Sequence, residues 1–117
     1  MAHFEFMLWL VYWYLQEELF DFEWDKGNST KSAKKHGIET DEVESVFSFK
    51  MAVPIGKQTS PKVDEERLCM IGPSRKGRLL SVVFTIRDGR VRPISSRVAS
   101  RKERTLYEEV RKTIEKL

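Results

Sequence analysis

The sequence predicts an α+β domain with a mainly antiparallel sheet of four to five strands. Three observations carry this: strand-like segments punctuated by tight turns through residues 66–97, a capped amphipathic helix after them, and two shorter helical stretches before them. At 117 residues the chain fits one domain that buries its own core without staples.

The elements follow in order. Phe20-Asp21-Phe22-Glu23-Trp24 alternates apolar and acidic, the period of a strand with one buried face. Asp25 suits an N-cap, and residues 26–36 read as a polar, lysine-rich helix ended by Gly37 at the C′ position. Thr40, with Asp41 and Glu42 behind it, opens a second helix whose acids sit near its positive end. Val43, Val46 and Phe47 supply that helix's apolar stripe. Residues 51–55 form a short strand containing Pro54, which places it at a sheet edge. Gly56, Ser60 and Pro61 mark a loop over residues 56–64.

A three-strand meander comes next. Residues 66–71 run into the turn 72–77, and residues 78–87 are rich in β-branched and aromatic side chains. Asp88-Gly89 is a two-residue hairpin signal leading into the last strand, residues 90–97. Ser100 and Glu103 then form a capping box. The closing helix carries Leu106, Val110, Ile114 and Leu117 on one side, with oppositely charged pairs at i, i+4 on the other.

Charge is distributed unevenly. Residues 1–66 hold 7 Lys/Arg against 13 Asp/Glu, whereas residues 67–117 hold 14 against 5. A cationic half of this density suits a phosphate-rich or acidic partner, because neutralising phosphates releases counterions. Because its arginines fall on strand segments at the centre of the fold, the sequence favours a binding face over a merely solvated surface.

The single cysteine, Cys69, precludes an internal disulfide and sits in an apolar run, which suits a buried thiol in a reducing cytoplasm. Two histidines and one cysteine make no zinc constellation, so neither metal nor other cofactor is expected. No Ser-His-Asp arrangement, phosphate-cradling glycine loop or paired-carboxylate signature is present.

Residues 1–19 are almost wholly apolar from Phe4 to Leu15, too short for a membrane span of about 20 residues. Glu5 interrupts the run and no Lys or Arg precedes it, so it is a poor secretory signal. It reads as an extra packed element, a partner-docking segment, or translated sequence ahead of a start near Leu19. The conventional domain is residues 20–117.

Four segments, in order, resemble the BrnT toxin family. They are Phe22-Glu23-Trp24-Asp25 followed by Lys35-His36-Gly37; Asp41-Glu42 leading to Val46-Phe47; Glu65-Glu66-Arg67 with Ile71-Gly72, Gly77-Arg78-Leu79-Leu80 and Val82-Val83; and Arg92 with Ile94-Ser95-Ser96-Arg97-Val98-Ala99, Arg101, Glu103, Arg104 and Tyr107-Glu108-Glu109. The chain departs from the pattern in having Asn28 for a common lysine, Ser32 for an asparagine and Pro93 for a hydrophobic residue. Pro93 removes a ladder donor, so a bulge or an edge is expected there.

The resemblance implies a RelE-like fold and metal-independent RNA cleavage by a cytoplasmic type II toxin, neutralised by a BrnA-like antitoxin that alone contacts operator DNA. Such chemistry needs a base for the 2′-hydroxyl, cations for charge developing on phosphorus and a proton donor for the leaving oxygen. Arg67, Arg78 and Arg97, one from each meander strand, are the expected catalytic phosphate-binding group, since the guanidinium fork holds phosphate oxygens bidentately. His36 is the candidate for proton transfer, with helix capping as the competing reading. Lys35, Arg92, Arg87 and Arg101 are the expected RNA-binding cations, and for each arginine ordinary ion pairing with Glu65, Glu66 or Glu103 competes. Trp24 and Tyr107 read as packing residues. The alternative function is a catalytically weakened binding module with the same fold, kept open by Asn28 and Pro93.

Overall fold

A computed structural model describes residues 21–29, 36–49, 51–58, 67–87 and 90–116 of the chain. Its elements run in the order α1 (Thr40–Ser48), β1 (Val53–Gln58), β2 (Arg67–Pro73), β3 (Leu79–Arg87), β4 (Arg90–Val98) and α2 (Arg101–Glu115). The four strands form one antiparallel sheet in the order β1-β2-β3-β4, so every sheet neighbour is also a neighbour in sequence. The expected α+β class and antiparallel meander are present.

Strand alternation divides the sheet into two faces. Leu68 and Met70 of β2, with Leu80, Val82 and Phe84 of β3, point to the side covered by α1, where Val43, Val46 and Phe47 meet them. Phe47 is the hinge of this core, edge-to-face with Phe84 at 5.1 Å and with Phe22 at 5.4 Å between ring centres. Ile71 and Leu79 point to the opposite side, where Tyr107, Val110 and Ile114 of α2 pack on them together with Val53. The Tyr107 hydroxyl donates to Met51 O at 2.9 Å, fastening α2 to the entry of β1.

Gly72 lies where the α1 side is tightest. A Cβ there would stand 2.5 Å from Ala52 Cβ and 2.7 Å from Ala52 Cα, which only hydrogen avoids.

Several boundaries differ from expectation. The strand expected over residues 20–24 is reduced to one parallel bridge between Phe22 and Val91, held by Glu23 N to Val91 O (2.8 Å) and Val91 N to Asp21 O (2.9 Å). The chain turns away at once because Asp25 caps a turn over residues 26–29, its Oδ1 accepting from Gly27 N at 2.8 Å. Of the first expected helix, residues 30–35 lie outside the described residues; His36 is helical and Gly37 follows at φ 67°, the left-handed C′ conformation.

Helix α1 opens at Thr40 as expected, and Glu39 before it is the N-cap, with no side-chain bond there. Strand β1 starts at Val53 and continues to Gln58, through the beginning of the expected loop, with an irregularity between Pro54 and Gly56. It is the edge strand that Pro54 predicted. The remainder of that loop and the Asp88-Gly89 turn fall outside the described residues, as do residues 1–20. The pairing of Arg87 with Arg90 nevertheless leaves two residues for the connection. The capping box at α2 is complete, Ser100 Oγ accepting from Glu103 N and the Glu103 carboxylate from Ser100 N.

Candidate nucleic-acid interface

The arginines of the cationic half are sorted by the same alternation that sorts the core. Arg67 precedes Leu68, so it lies on the α2 side of β2, in the row of the Thr85–Arg92 pair. Arg97 pairs with Ser81 and faces the same way. Between them β4 carries an extra residue: Phe84 pairs with Pro93 while Val83 pairs with Ser95, leaving Ile94 bulged. The bulge expected at Pro93 thus occurs beside it. Arg92 and Arg97 are five positions apart, a spacing that a regular strand would split between faces. The bulge puts both on one.

Helix α2 covers this face only at its Ile71–Leu79 end, so Cys69, Val83 and Ser95 lie half-buried between the arginine rows. At about 3.3 Å per residue, the four row steps from Arg92 to Arg97 span roughly 13 Å. That is a track for an extended anion rather than a pocket for one phosphate.

Carboxylates hold Arg92 and Arg97 in a defined geometry. Arg97 makes a bidentate fork to Glu103, Nη1 to Oε1 at 2.6 Å and Nη2 to Oε2 at 3.0 Å. Burial pushes the Glu103 carboxyl up, but the Arg97 guanidinium and the Ser100 groups outweigh it and hold the pKa at about 2. Arg92 is mostly buried and bonds Asp25 Oδ2 at 2.8 Å and Glu23 Oε1 at 3.0 Å. The Arg92 fork, with the backbone of Gly27, lowers the Asp25 pKa. Arg87 stands 3.7 Å from the same Glu23 carboxylate. Arg67 keeps its Nε buried, without a hydrogen-bond partner among the described residues. Cys69 is half-buried rather than fully buried as expected; burial pushes its thiol up, and its sulfur lies 3.6 Å from Ser81 Oγ.

Arg78 belongs to a different place. It stands just ahead of β3 and reaches to the α1 side, where Nε and Nη2 each meet a Glu42 oxygen at 2.7 Å. Glu42 is fully buried and also accepts from Ser74 Oγ at 2.7 Å. Arg78 lowers its pKa against the opposing cost of burial, with Ser74 assisting. Arg78 Nη2 further donates to Gly37 O at 3.2 Å, so the exposed His36 sits beside Arg78 and not beside Arg97.

The structure therefore does not bring Arg67, Arg78 and Arg97 to one point. Arg78 is at the opposite end of the strands from Arg67, roughly 20 Å away by row count, and on the other face. It brings together Arg67, Arg92 and Arg97 on one face, and Arg78 with His36 on the other. Arg101 is exposed at the start of α2, and Lys35 lies outside the described residues. Trp24 packs on the α1-side core and donates its Nε1 to Glu44 at 2.7 Å. Among the described residues no group of three or more His, Cys, Asp or Glu could hold a metal, and no helix is long and apolar enough to cross a membrane.

In the sequence Glu42 reads as an ordinary helix-start acid. Its available signal was position: it stands four residues before Val46, on the buried stripe of α1. Asn28 likewise stands out in the sequence only as a departure from the family pattern. It is buried, and its Nδ2 donates to Glu23 O (2.9 Å) and Pro93 O (2.8 Å) while Oδ1 accepts from Asp25 N (2.7 Å).

A family model described as the ribonuclease toxin BrnT of type II toxin–antitoxin systems matches residues 24–103, most of the chain. The chain belongs to the BrnT family. It is thus a ribonuclease toxin by family, as the four quoted segments implied. Among solved structures, the BrnT ribonuclease toxin of Brucella abortus is similar at 22% identity, with a TM-score of 0.51 over 70% of this chain and 99% of that one. At that identity the likeness establishes a shared BrnT fold. No curated protein matches the chain.

Proposed function

We propose that this BrnT chain cleaves RNA without a metal, gripping the phosphodiester backbone along the α2-side face of the sheet. The observation that carries the reading is the Ile94 bulge, which aligns Arg92 and Arg97 on one face, with Arg67 in the row of Arg92. In the reaction the ribose 2′-oxygen bonds to phosphorus and the 5′-oxygen leaves with a proton, giving a 2′,3′-cyclic phosphate. Arg97 is the residue assigned to the scissile phosphate, because its guanidinium is fixed by Glu103 yet half-exposed. A guanidinium held in place stabilises the charge that develops on the non-bridging oxygens. Arg67 and Arg92 hold the neighbouring backbone.

The described residues of this face include no group that titrates near neutrality: burial raises the Cys69 thiol, and the Glu103 carboxyl titrates at about 2. His36 lies across the sheet with Arg78. Charge stabilisation is accordingly the main catalytic contribution, with water carrying the protons. The fold is assigned as RelE-like and the site of action as the cytoplasm. A BrnA-like antitoxin is the fitting partner, its acidic groups complementing the cationic face and its own DNA-binding part reaching the operator.

Inducible expression of the chain beside Arg97→Ala and His36→Ala tests the reading through growth and total RNA integrity. The parent and His36→Ala arrest growth and degrade RNA, while Arg97→Ala does neither. Arrest lost in His36→Ala but kept in Arg97→Ala would move the site to the Arg78 side. No arrest by folded, soluble parent protein would leave a binding module.

A further inference from the structure

We infer that Glu103 is a positioning residue for Arg97: one carboxylate both starts helix α2 and sets the guanidinium that faces the RNA phosphate. The inference rests on the assignment of Arg97 to the scissile phosphate. Its basis is a shared atom. Glu103 Oε1 accepts from Arg97 Nη1 at 2.6 Å and from the Ser100 backbone N–H at 2.9 Å, while Oε2 takes Arg97 Nη2 at 3.0 Å.

A capping box needs only the second of these bonds. The fork to Arg97 is additional, and it is well sheltered: the Glu103 side chain is 16% exposed against 48% for Arg97. An exposed arginine on its own would sample many rotamers. Here the fork removes that freedom before any ligand arrives, at no cost during the reaction.

The fork also leaves part of the guanidinium available. Arg97 Nη1 gives its remaining hydrogen to Val98 O at 3.4 Å, whereas Nε and the second Nη2 hydrogen have no partner among the described residues. Those two donors lie along the guanidinium edge turned away from Glu103, the edge suited to two phosphate oxygens. The carboxylate therefore does two opposed things to RNA: it orients the cation and it partly offsets its charge. Loss of Glu103 should weaken the chemical step while leaving binding intact or tighter. A purely structural role would lower the amount of active protein and leave KM unchanged.

The test is steady-state cleavage of a fluorescent single-stranded RNA by the full chain, its Glu103→Gln, Ser100→Ala and Arg97→Lys forms, and the Arg97→Lys/Glu103→Gln double variant. Thermal melts of each supply the control for folding. Glu103→Gln lowers kcat about 10- to 100-fold with KM unchanged or lower, the penalty of a mis-set catalytic group. Ser100→Ala, which removes the cap hydroxyl and leaves the fork in place, keeps kcat within about twofold although it also lowers Tm. In the Arg97→Lys background the Glu103→Gln exchange costs nothing further, because the fork is already gone.

Glu103→Gln with parental kcat, or an equal further loss in the Arg97→Lys background, overturns the positioning role and leaves Arg97 in the site. Parental activity in Arg97→Lys and Arg97→Ala alike overturns the assignment of Arg97, and the positioning role with it. A folded parent that cuts no RNA has the same consequence.

Discussion

Arg92 and Arg97 stand an odd number of residues apart in one strand and yet face the same side of the sheet. The residue that reconciles these facts is Ile94, present in the strand and absent from the ladder. Pro93 next to it has no N–H to give, so an interruption there sacrifices little. A departure from the family pattern at Pro93 therefore coincides with the irregularity that builds the cationic face.

Deleting Ile94 should restore the regular register and turn one of the two arginines to the opposite face. Single-stranded RNA titrations at several salt concentrations should then show weaker binding, with the logarithmic salt slope reduced by about one phosphate contact. An unchanged slope in a folded deletion variant would show that the two arginines do not act together.

The Arg78–Glu42 fork lies on the α1 side and holds a wholly buried carboxylate. Glu42→Ala strips Arg78 and Ser74 of their acceptor, and urea unfolding should register a loss of about 3 kcal/mol. Arg78→Ala should cost a similar amount, since it strands the buried charge, and it should leave RNA affinity within about twofold once folded protein is counted.

Asn28 joins the N-terminal segment to β4 through Pro93 O and satisfies Asp25 N at the same time. Replacing it with alanine leaves both backbone groups unmet, for a loss of about 1–3 kcal/mol in the same unfolding measurement. Asn28→Lys should do no better, because a cation at this buried position has no acceptor geometry equivalent to the amide's.

Acid should unfold the domain through its fork carboxylates. The Glu103 carboxyl drops from an ordinary 4.5 to about 2 in the folded chain, so the folded state favours the ionised form. Its contribution, on the order of 2 kcal/mol, is complete above pH 4.5 and disappears as pH falls from there toward 2. Arg78 and Ser74 lower Glu42, and Arg92 lowers Asp25, so both add in the same direction. Thermal melts from pH 7 to pH 2 should show a plateau followed by a fall beginning near pH 4.5. A rise in that window would contradict the fork geometry.

Local signals in the sequence suffice where a few adjacent residues decide the outcome. The Ser100–Glu103 box, the left-handed Gly37, the edge strand at Pro54 and the two-residue link after Arg87 are of this kind. What escaped depends on parity or on distant partners. Whether Arg97 shares a face with Arg92 hinges on one unpaired residue, and the 36-position separation of Glu42 and Arg78 conceals their pairing. The strand expected at residues 20–24 has the right alternation, but Asp25 ends it after a single bridge. Charge counting located the cationic half without dividing it between the two sides of the sheet.

Because sheet order follows chain order, most pairings close loops of a few residues, and such a meander can assemble quickly from its own hairpins. The ties of residues 21–28 to β4 are the exception, joining groups 65 or more positions apart through Asn28–Pro93 and Arg92–Asp25. Closing that loop costs more chain entropy than closing any hairpin of the meander. The domain should therefore divide kinetically into a meander of three hairpins that forms first and a strap over residues 21–28 that docks last and detaches first.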